Sequence, residues 1–250
     1  MSVFFALMRR ELGAYFNSLT GYVVIAAVLL LSGFSLVDLI ERIRQMPYDA
    51  PVTELFYQTI YFWLIVLLSA PVITMRSFAA EKATGTYEAL MTTPVGDWQV
   101  VLAKYAGALA FFLLTWLPFV GVLFSLRQIT GEAALFEPVI VAVTFLGIAL
   151  VGSLFMALGC FASSLTRSDI IAAMVSFLFG IGLWMLGYRP DVSGVVPAWA
   201  VPALEHMSMT RHMEDFSRGL VVGRHVVFYL TATALFLFLT HRVVQSRRWK

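Results

Sequence analysis

Charge is scarce in this chain. Only 13% of its 250 residues are Asp, Glu, Lys or Arg, about half the share carried by a soluble globular domain. That supply cannot cover a water-exposed surface. With 60% hydrophobic residues and a mean hydropathy of +0.85, the class is integral membrane protein. Cysteine is nearly missing: Cys160 stands alone, which excludes an intrachain disulfide and leaves the redox compartment unread. A Gly-Lys dipeptide is missing altogether, and with it the phosphate-binding loop of P-loop nucleotide hydrolases. Internal repeats, low-complexity tracts and a soluble domain are also lacking.

What fills the chain is uncharged length. Runs without Asp, Glu, Lys, Arg or His cover Leu12–Val37, Leu55–Met75, Tyr105–Leu126, Pro138–Thr166, Ile170–Tyr188 and Val226–Thr240. A spanning helix needs about 20 apolar residues at a rise of about 1.5 Å each, so the first five are long enough. The sixth is short and spans only if His225, His241 and Arg242 reach the interface and Val243-Val244 extend it. The runs are continuous rather than alternating, which favours helices over a barrel. The expected fold is therefore all-α and polytopic, a single membrane domain over 1–250 with six transmembrane helices. The N-terminal run exceeds a signal-peptide core and follows Arg9-Arg10-Glu11, so it is expected to be retained. Because no run holds an Asp, Glu, Lys, Arg or His, a self-powered carrier and intramembrane catalysis are both disfavoured. Asp38 sits only at the end of the first run.

Six crossings put both ends on one side. That side would hold ten of the 17 basic residues: Arg9, Arg10, Arg76, Lys82, Lys104, Arg167, Arg242, Arg247, Arg248 and Lys250. The pair Arg9-Arg10 and the tail Arg247-Arg248-Trp249-Lys250 favour a cytoplasmic placement of both termini. Residues 1–16 suit an interfacial helix, with Phe4, Leu7, Met8 and Tyr15 roughly on one face. Pro71 and Pro118 lie inside spans, and Gly147, Gly152, Ser153, Ala157 and Gly159 allow close helix approach. Residues 187–224 form the longest outer segment, apolar but proline-broken over Val192–Leu204. An amphipathic helix is expected from Glu205 to Leu220. Its Glu205, His206, His212, Glu214 and Asp215 raise the question of a metal, but His206 and His212 are spaced poorly for one helical face and no zincin signature is present. A polar interfacial face is the better reading, and no metal is expected.

Between the second and third runs lies the polar stretch 76–104. The second span is expected to continue as helix through Phe78 to Lys82 and to break at Gly85. Thr84 or Thr86 can then cap a short helix through Tyr87-Glu88-Ala89-Leu90-Met91, with Glu88 early in it where the dipole favours an anion. Pro94 stops that helix and Asp97 is placed to cap the next. A helix-break-helix of this kind projects Tyr87, Leu90 and Met91 out of the membrane. It reads equally as a docking element or as an interfacial loop folded onto lipid.

The stretch Met75-Arg76-Ser77-Phe78-Ala79-Ala80-Glu81-Lys82-Ala83-Thr84-Gly85-Thr86-Tyr87-Glu88-Ala89-Leu90, followed by Pro94-Val95 and Lys104, resembles the first cytoplasmic loop of type-2 ABC exporter permeases. Six spans, the N-terminal interfacial helix and Phe216-Ser217-Arg218-Gly219 before the last span resemble that family as well, in the style of its gliding-motility-type subgroup. Ala80 stands where the family has the first acidic residue of a pair, and Ala103 where it has a Gly before Lys104. The resemblance implies the permease subunit of an ATP-driven exporter in the bacterial cell (inner) membrane. It implies docking residues Glu81, Gly85, Thr86, Tyr87, Glu88, Leu90 and Pro94 in a coupling helix seated on a cytoplasmic ABC ATPase dimer. It also implies a second permease subunit, with ATP and Mg bound by the partner and no cofactor on this chain, which is itself no enzyme. The alternatives are a non-transport membrane scaffold or a passive channel.

Overall fold

The computed structural model describes residues 3–45, 52–86, 95–130, 137–187 and 201–246. They form eleven helices with no strand among the described residues: α1 Val3–Phe16, α2 Leu19–Gln45, α3 Val52–Gln58, α4 Ile60–Thr74, α5 Ala79–Thr84, α6 Asp97–Thr130, α7 Pro138–Leu165, α8 Asp169–Leu186, α9 Val201–His206, α10 Met209–Ser217 and α11 Gly223–Ser246. Among the described residues, six segments are long and apolar enough to cross a membrane: Leu19–Arg42, Ile60–Thr84, Asp97–Gly121, Pro138–Leu165, Asp169–Leu186 and Gly223–Ser246. The sixth run, short as an uncharged stretch, sits inside a helix of 24 residues that takes in His225, His241 and Arg242. The fold is an all-α polytopic membrane protein.

Helices α4 and α7 form the centre of the bundle. Most of the α4 span is buried inside the protein, whereas α8 and α11 turn most of their surface outward. Small residues set the close contacts. A Cβ at Gly159 would lie 2.0 Å from Thr74 Oγ1, one at Gly152 would lie 2.3 Å from the Phe112 ring, and one at Gly147 would lie 2.9 Å from the Phe216 ring. Each is below any real Cβ contact, so these glycines are what allow α4, α6 and α10 to press onto α7. An aromatic cluster of Phe56, Phe62, Trp116 and Phe119 fills the space between α3, α4 and α6.

Helix α1, expected at the membrane edge, rests on the start of α6. Gly107 makes this possible, since a Cβ there would meet Glu11 Cβ at 2.9 Å. Tyr15 stacks on Phe111 at 4.8 Å and donates its hydroxyl to the Ile73 carbonyl at 3.1 Å. Tyr15 thus ties α1 to two spans.

Candidate functional site

The base of the polar loop is built from five helices. Helix α4 ends at Thr74 rather than running on to Lys82, and a turn over 75–78 separates it from α5. The break leaves backbone groups without helical partners. Ser163, near the end of α7, meets them: its hydroxyl accepts from the Phe78 and Ala79 N–H groups at 3.0 and 3.1 Å and donates to the Met75 carbonyl at 2.8 Å. Buried Lys82 donates to the Ser164 carbonyl, and Arg76 pairs with Asp169 at the start of α8 at 3.2 Å. One side chain from a neighbouring span therefore caps the loop helix. Ser163→Ala is expected to destabilise the protein by about 1–3 kcal/mol, since it orphans two buried donors and one acceptor. Thermal unfolding in detergent reads the loss, with faster proteolysis near residue 85.

Four charges lock the other face of α5. Lys104, only 3% exposed, donates to Glu81 Oε1 at 2.7 Å and to Glu11 Oε1 at 3.3 Å. Arg10 donates to the same two oxygens, at 3.4 Å for Glu81 and 2.7 Å for Glu11. The network joins α1, α5 and α6 with two cations and two carboxylates, so it is neutral as a unit. The Phe78 ring lies 5.5 Å from the Lys104 ammonium and walls it from water. The hydrogen bond that Arg10 donates to Glu11, with the nearby Glu11 and Glu81 charges, holds the Arg10 guanidinium above its ordinary value.

Of the residues singled out in the loop, Glu81 faces inward to Lys104 and α1. Gly85 ends α5 with φ of 76°, the left-handed conformation glycine adopts freely, and there is open space where a Cβ would go. The backbone therefore demands Gly85, not packing. Thr84 bonds back to the Ala80 carbonyl at 3.0 Å and meets the Thr86 hydroxyl at 2.9 Å. Tyr87, Glu88, Leu90 and Pro94 lie outside the described residues. Helix α6 opens at Asp97 itself, with Gly96 accepting from the Gln99 and Val100 amides, so Asp97 occupies the first turn rather than the cap. Sequence reasoning missed Arg10, Glu11, Lys104 and Ser163 as partners of this loop. The one signal available was Gly107, a small residue in the third span that permits α1 to approach.

On the opposite side of the membrane domain, the single amphipathic helix expected over Glu205–Leu220 is two helices, broken at Met207-Ser208. Ser208 donates its hydroxyl to the Gly187 carbonyl at 2.6 Å, and α10 starts from there. Arg218 clamps Glu54 of α3 at 2.7 Å and Glu214 at 2.8 Å, and Thr53 donates to the Ser217 carbonyl at 2.7 Å. The break brings His206 and His212 to one cavity, where the His212 ring lies against His225, tilted by 32° with centroids 3.9 Å apart. No group of three or more His, Cys, Asp or Glu side chains among the described residues is arranged to hold a metal ion.

Burial pushes the His212 imidazole down to about 3, with the fields of His225, His206 and Arg224 adding to it. The folded protein thus holds this ring neutral, while the unfolded chain takes up its proton near pH 6.5. Stability from this group is complete above about pH 6.5 and is lost as pH falls from there toward 3. The thermal midpoint is expected to be level at pH 7–8 and to drop below pH 6. His212→Phe is expected to remove that part of the slope.

No curated protein matches the chain. A family model described as ABC-2 family transporter protein matches residues 42–201, which is more than half of the chain and takes in the second to fifth spans and the whole polar loop. With six apolar helices, a polar loop braced at its base on the side of the chain ends, and this match, the chain belongs to the ABC-2 family of transporter membrane subunits, the permeases that partner an ABC ATPase.

Proposed function

We propose that this protein is the permease subunit of an ATP-driven exporter, working with a second permease, either a copy of itself or a related chain, and with two ATPase subunits. Its place is the bacterial cell (inner) membrane with both termini cytoplasmic, and its loop motifs suit the gliding-motility-type subgroup. The observation that carries this reading is the bracing of the loop's base. Glu81 is held by Lys104 and Arg10, α5 is capped by Ser163, and Arg76 is tied to Asp169. A loop that merely folded onto lipid needs no such anchorage to α1, α6, α7 and α8.

In this reading Gly85 turns the chain out of the bundle. Thr86, Tyr87, Glu88 and Leu90 then form the surface that seats in a groove of the ATPase, and Pro94 ends it. ATP and Mg²⁺ are bound and used by the ATPase, and this chain's part is mechanical. Closure of the ATPase dimer loads the loop. Because α5 is fixed to four other helices, the load moves them as a unit instead of bending one span. The test is ATP hydrolysis by the partner ATPase reconstituted with this chain in nanodiscs. Glu88→Lys is expected to lower chain-dependent hydrolysis at least tenfold without changing the chain's own unfolding. Hydrolysis that is the same with the wild type, with Glu88→Lys and with no permease at all would overturn the reading.

A further inference from the structure

Where α9, α10 and the start of α11 meet, on the side opposite the polar loop, there is a cavity of about 330 Å³. Its size is at the lower end of small-molecule sites. Two buried imidazoles line it: His212 is 1% exposed and His225 is 2% exposed. His225 uses Nε2 on Asp215 at 2.8 Å and leaves Nδ1 without a partner among the described residues, while His212, whose ring has the His206 backbone nearby, makes no close hydrogen bond there at either nitrogen. Buried polar atoms left unmet cost about 1–3 kcal/mol each, and folded proteins keep few of them. Three at one cavity wall point to an occupant.

The charges around the cavity narrow its chemistry. Glu205 is taken by Arg211 at 2.9 Å, Glu214 by Arg218 at 2.8 Å, and Asp215 by His225. An anion entering here meets three carboxylates, and a cation meets Arg211 and the exposed Arg224. A metal ion is disfavoured as well, because no group of three or more His, Cys, Asp or Glu side chains among the described residues is arranged to hold one. At His212 the unmet group is neutral: a neutral imidazole offers one N–H donor and one lone-pair acceptor. A hydroxyl group matches that in both directions, and Arg224 at the rim can donate to a further oxygen.

We propose that this cavity binds a polyhydroxylated group of roughly one sugar ring, held by His212 and His225 with Arg224 at its mouth. The group can come from a free sugar or from a glycolipid headgroup, since the site opens where α11 enters the membrane. The binding needs no ATPase and stands apart from the docking loop.

The test uses the full chain in nanodiscs. In phosphatidylcholine discs, glucose and glycerol are titrated by saturation-transfer NMR; a second set of discs carries a monoglucosyl diacylglycerol, read by protection of the chain against thermal unfolding. Saturable glucose binding identifies a free-sugar site, and protection only in glycolipid discs identifies a headgroup site. Either supports the proposal if His212→Phe, which keeps a ring against His225, weakens the effect at least tenfold. Arg224→Ala, an exposed change that leaves the fold intact, is expected to weaken it about threefold. Failure of all three probes on the wild type would show a cavity holding water only and overturn the proposal. Binding that is equal in His212→Phe, or His212-dependent binding of phosphate or Zn²⁺ instead, would overturn it too.

Discussion

Replacing Lys104 by Met is expected to destabilise the protein by about 3 kcal/mol and to uncouple it from its ATPase. The substitution leaves two carboxylates short of a cation. Glu81 and Glu11, at 20% and 15% exposed, would keep one shared cation, Arg10, which is itself half in water. Removing one member of a buried ion network strands its partners, typically at about 3–5 kcal/mol, and partial exposure places this case at the low end. If half of that loss appears as freedom of α5, the docked geometry becomes about tenfold less populated. The unfolding midpoint in detergent and chain-stimulated ATP hydrolysis read the two effects. Adding Glu81→Gln to Lys104→Met is expected to recover more than half of the stability, because removing both members of the pair leaves no stranded charge between them. It is not expected to recover coupling, since the tie between α5 and α6 is gone. Full recovery of both would show that the network is only a structural convenience.

Gly159→Val is the second large effect expected. A Cβ there would lie 2.0 Å from Thr74 Oγ1 and 2.7 Å from Thr74 Cβ, and the hydroxyl is already committed to the Ala70 carbonyl at 2.7 Å. The side chain cannot swing away without losing that bond, and the backbone of α4 is central to the bundle. Overpacking costs about 1–3 kcal/mol where neighbours can yield. Here two branched atoms are added where one already overlaps, so a loss of about 3 kcal/mol or failure to accumulate in the membrane is expected. Gly159→Ala should cost less, and Thr74→Ala should relieve part of it. Gly182→Ala is the control: nothing lies within 4 Å of a Cβ there, and a helical Gly→Ala change is neutral or mildly stabilising. Equal losses at Gly159 and Gly182 would contradict the packing argument.

The spans were legible because lipid leaves so few ways to arrange a chain. Five uncharged runs read directly as helices, and Pro71 and Pro118 lie inside helices as expected. The sixth looked short because His225 and His241 interrupt the uncharged run, although both sit inside the helix. His225 finds Asp215, and His241 stacks on Trp98 at 4.2 Å. Local reasoning failed where the deciding group belongs to a distant part of the chain. The helix expected through Phe78 stops at Thr74, and the serine that satisfies the break lies 85 positions from Phe78. Lys104 reads as a topology charge until α1 folds back over Gly107 and brings Glu11 to it, 93 positions away. The outer histidines read as badly spaced on one helix because nothing local announced that Ser208 would bond to Gly187 and start another. Glu81, taken from motif resemblance as a docking contact, is engaged by its own protein. In the proposed reading its part is to hold the loop in place, with the contact itself made by residues beyond Gly85.

The most direct test of the central claim is site-specific cross-linking of the loop to the ATPase. With Cys160 replaced by Ser, single cysteines at Tyr87, Glu88 and Leu90 are compared with one at Arg218 on the opposite side, each bearing a short photoreactive group, in membranes that also contain the partner ATPase. The account predicts adducts to the ATPase from the three loop positions, changing in yield between ATP-bound and nucleotide-free conditions, and none from Arg218. Loop positions that link only to lipid, in both nucleotide conditions, would contradict it.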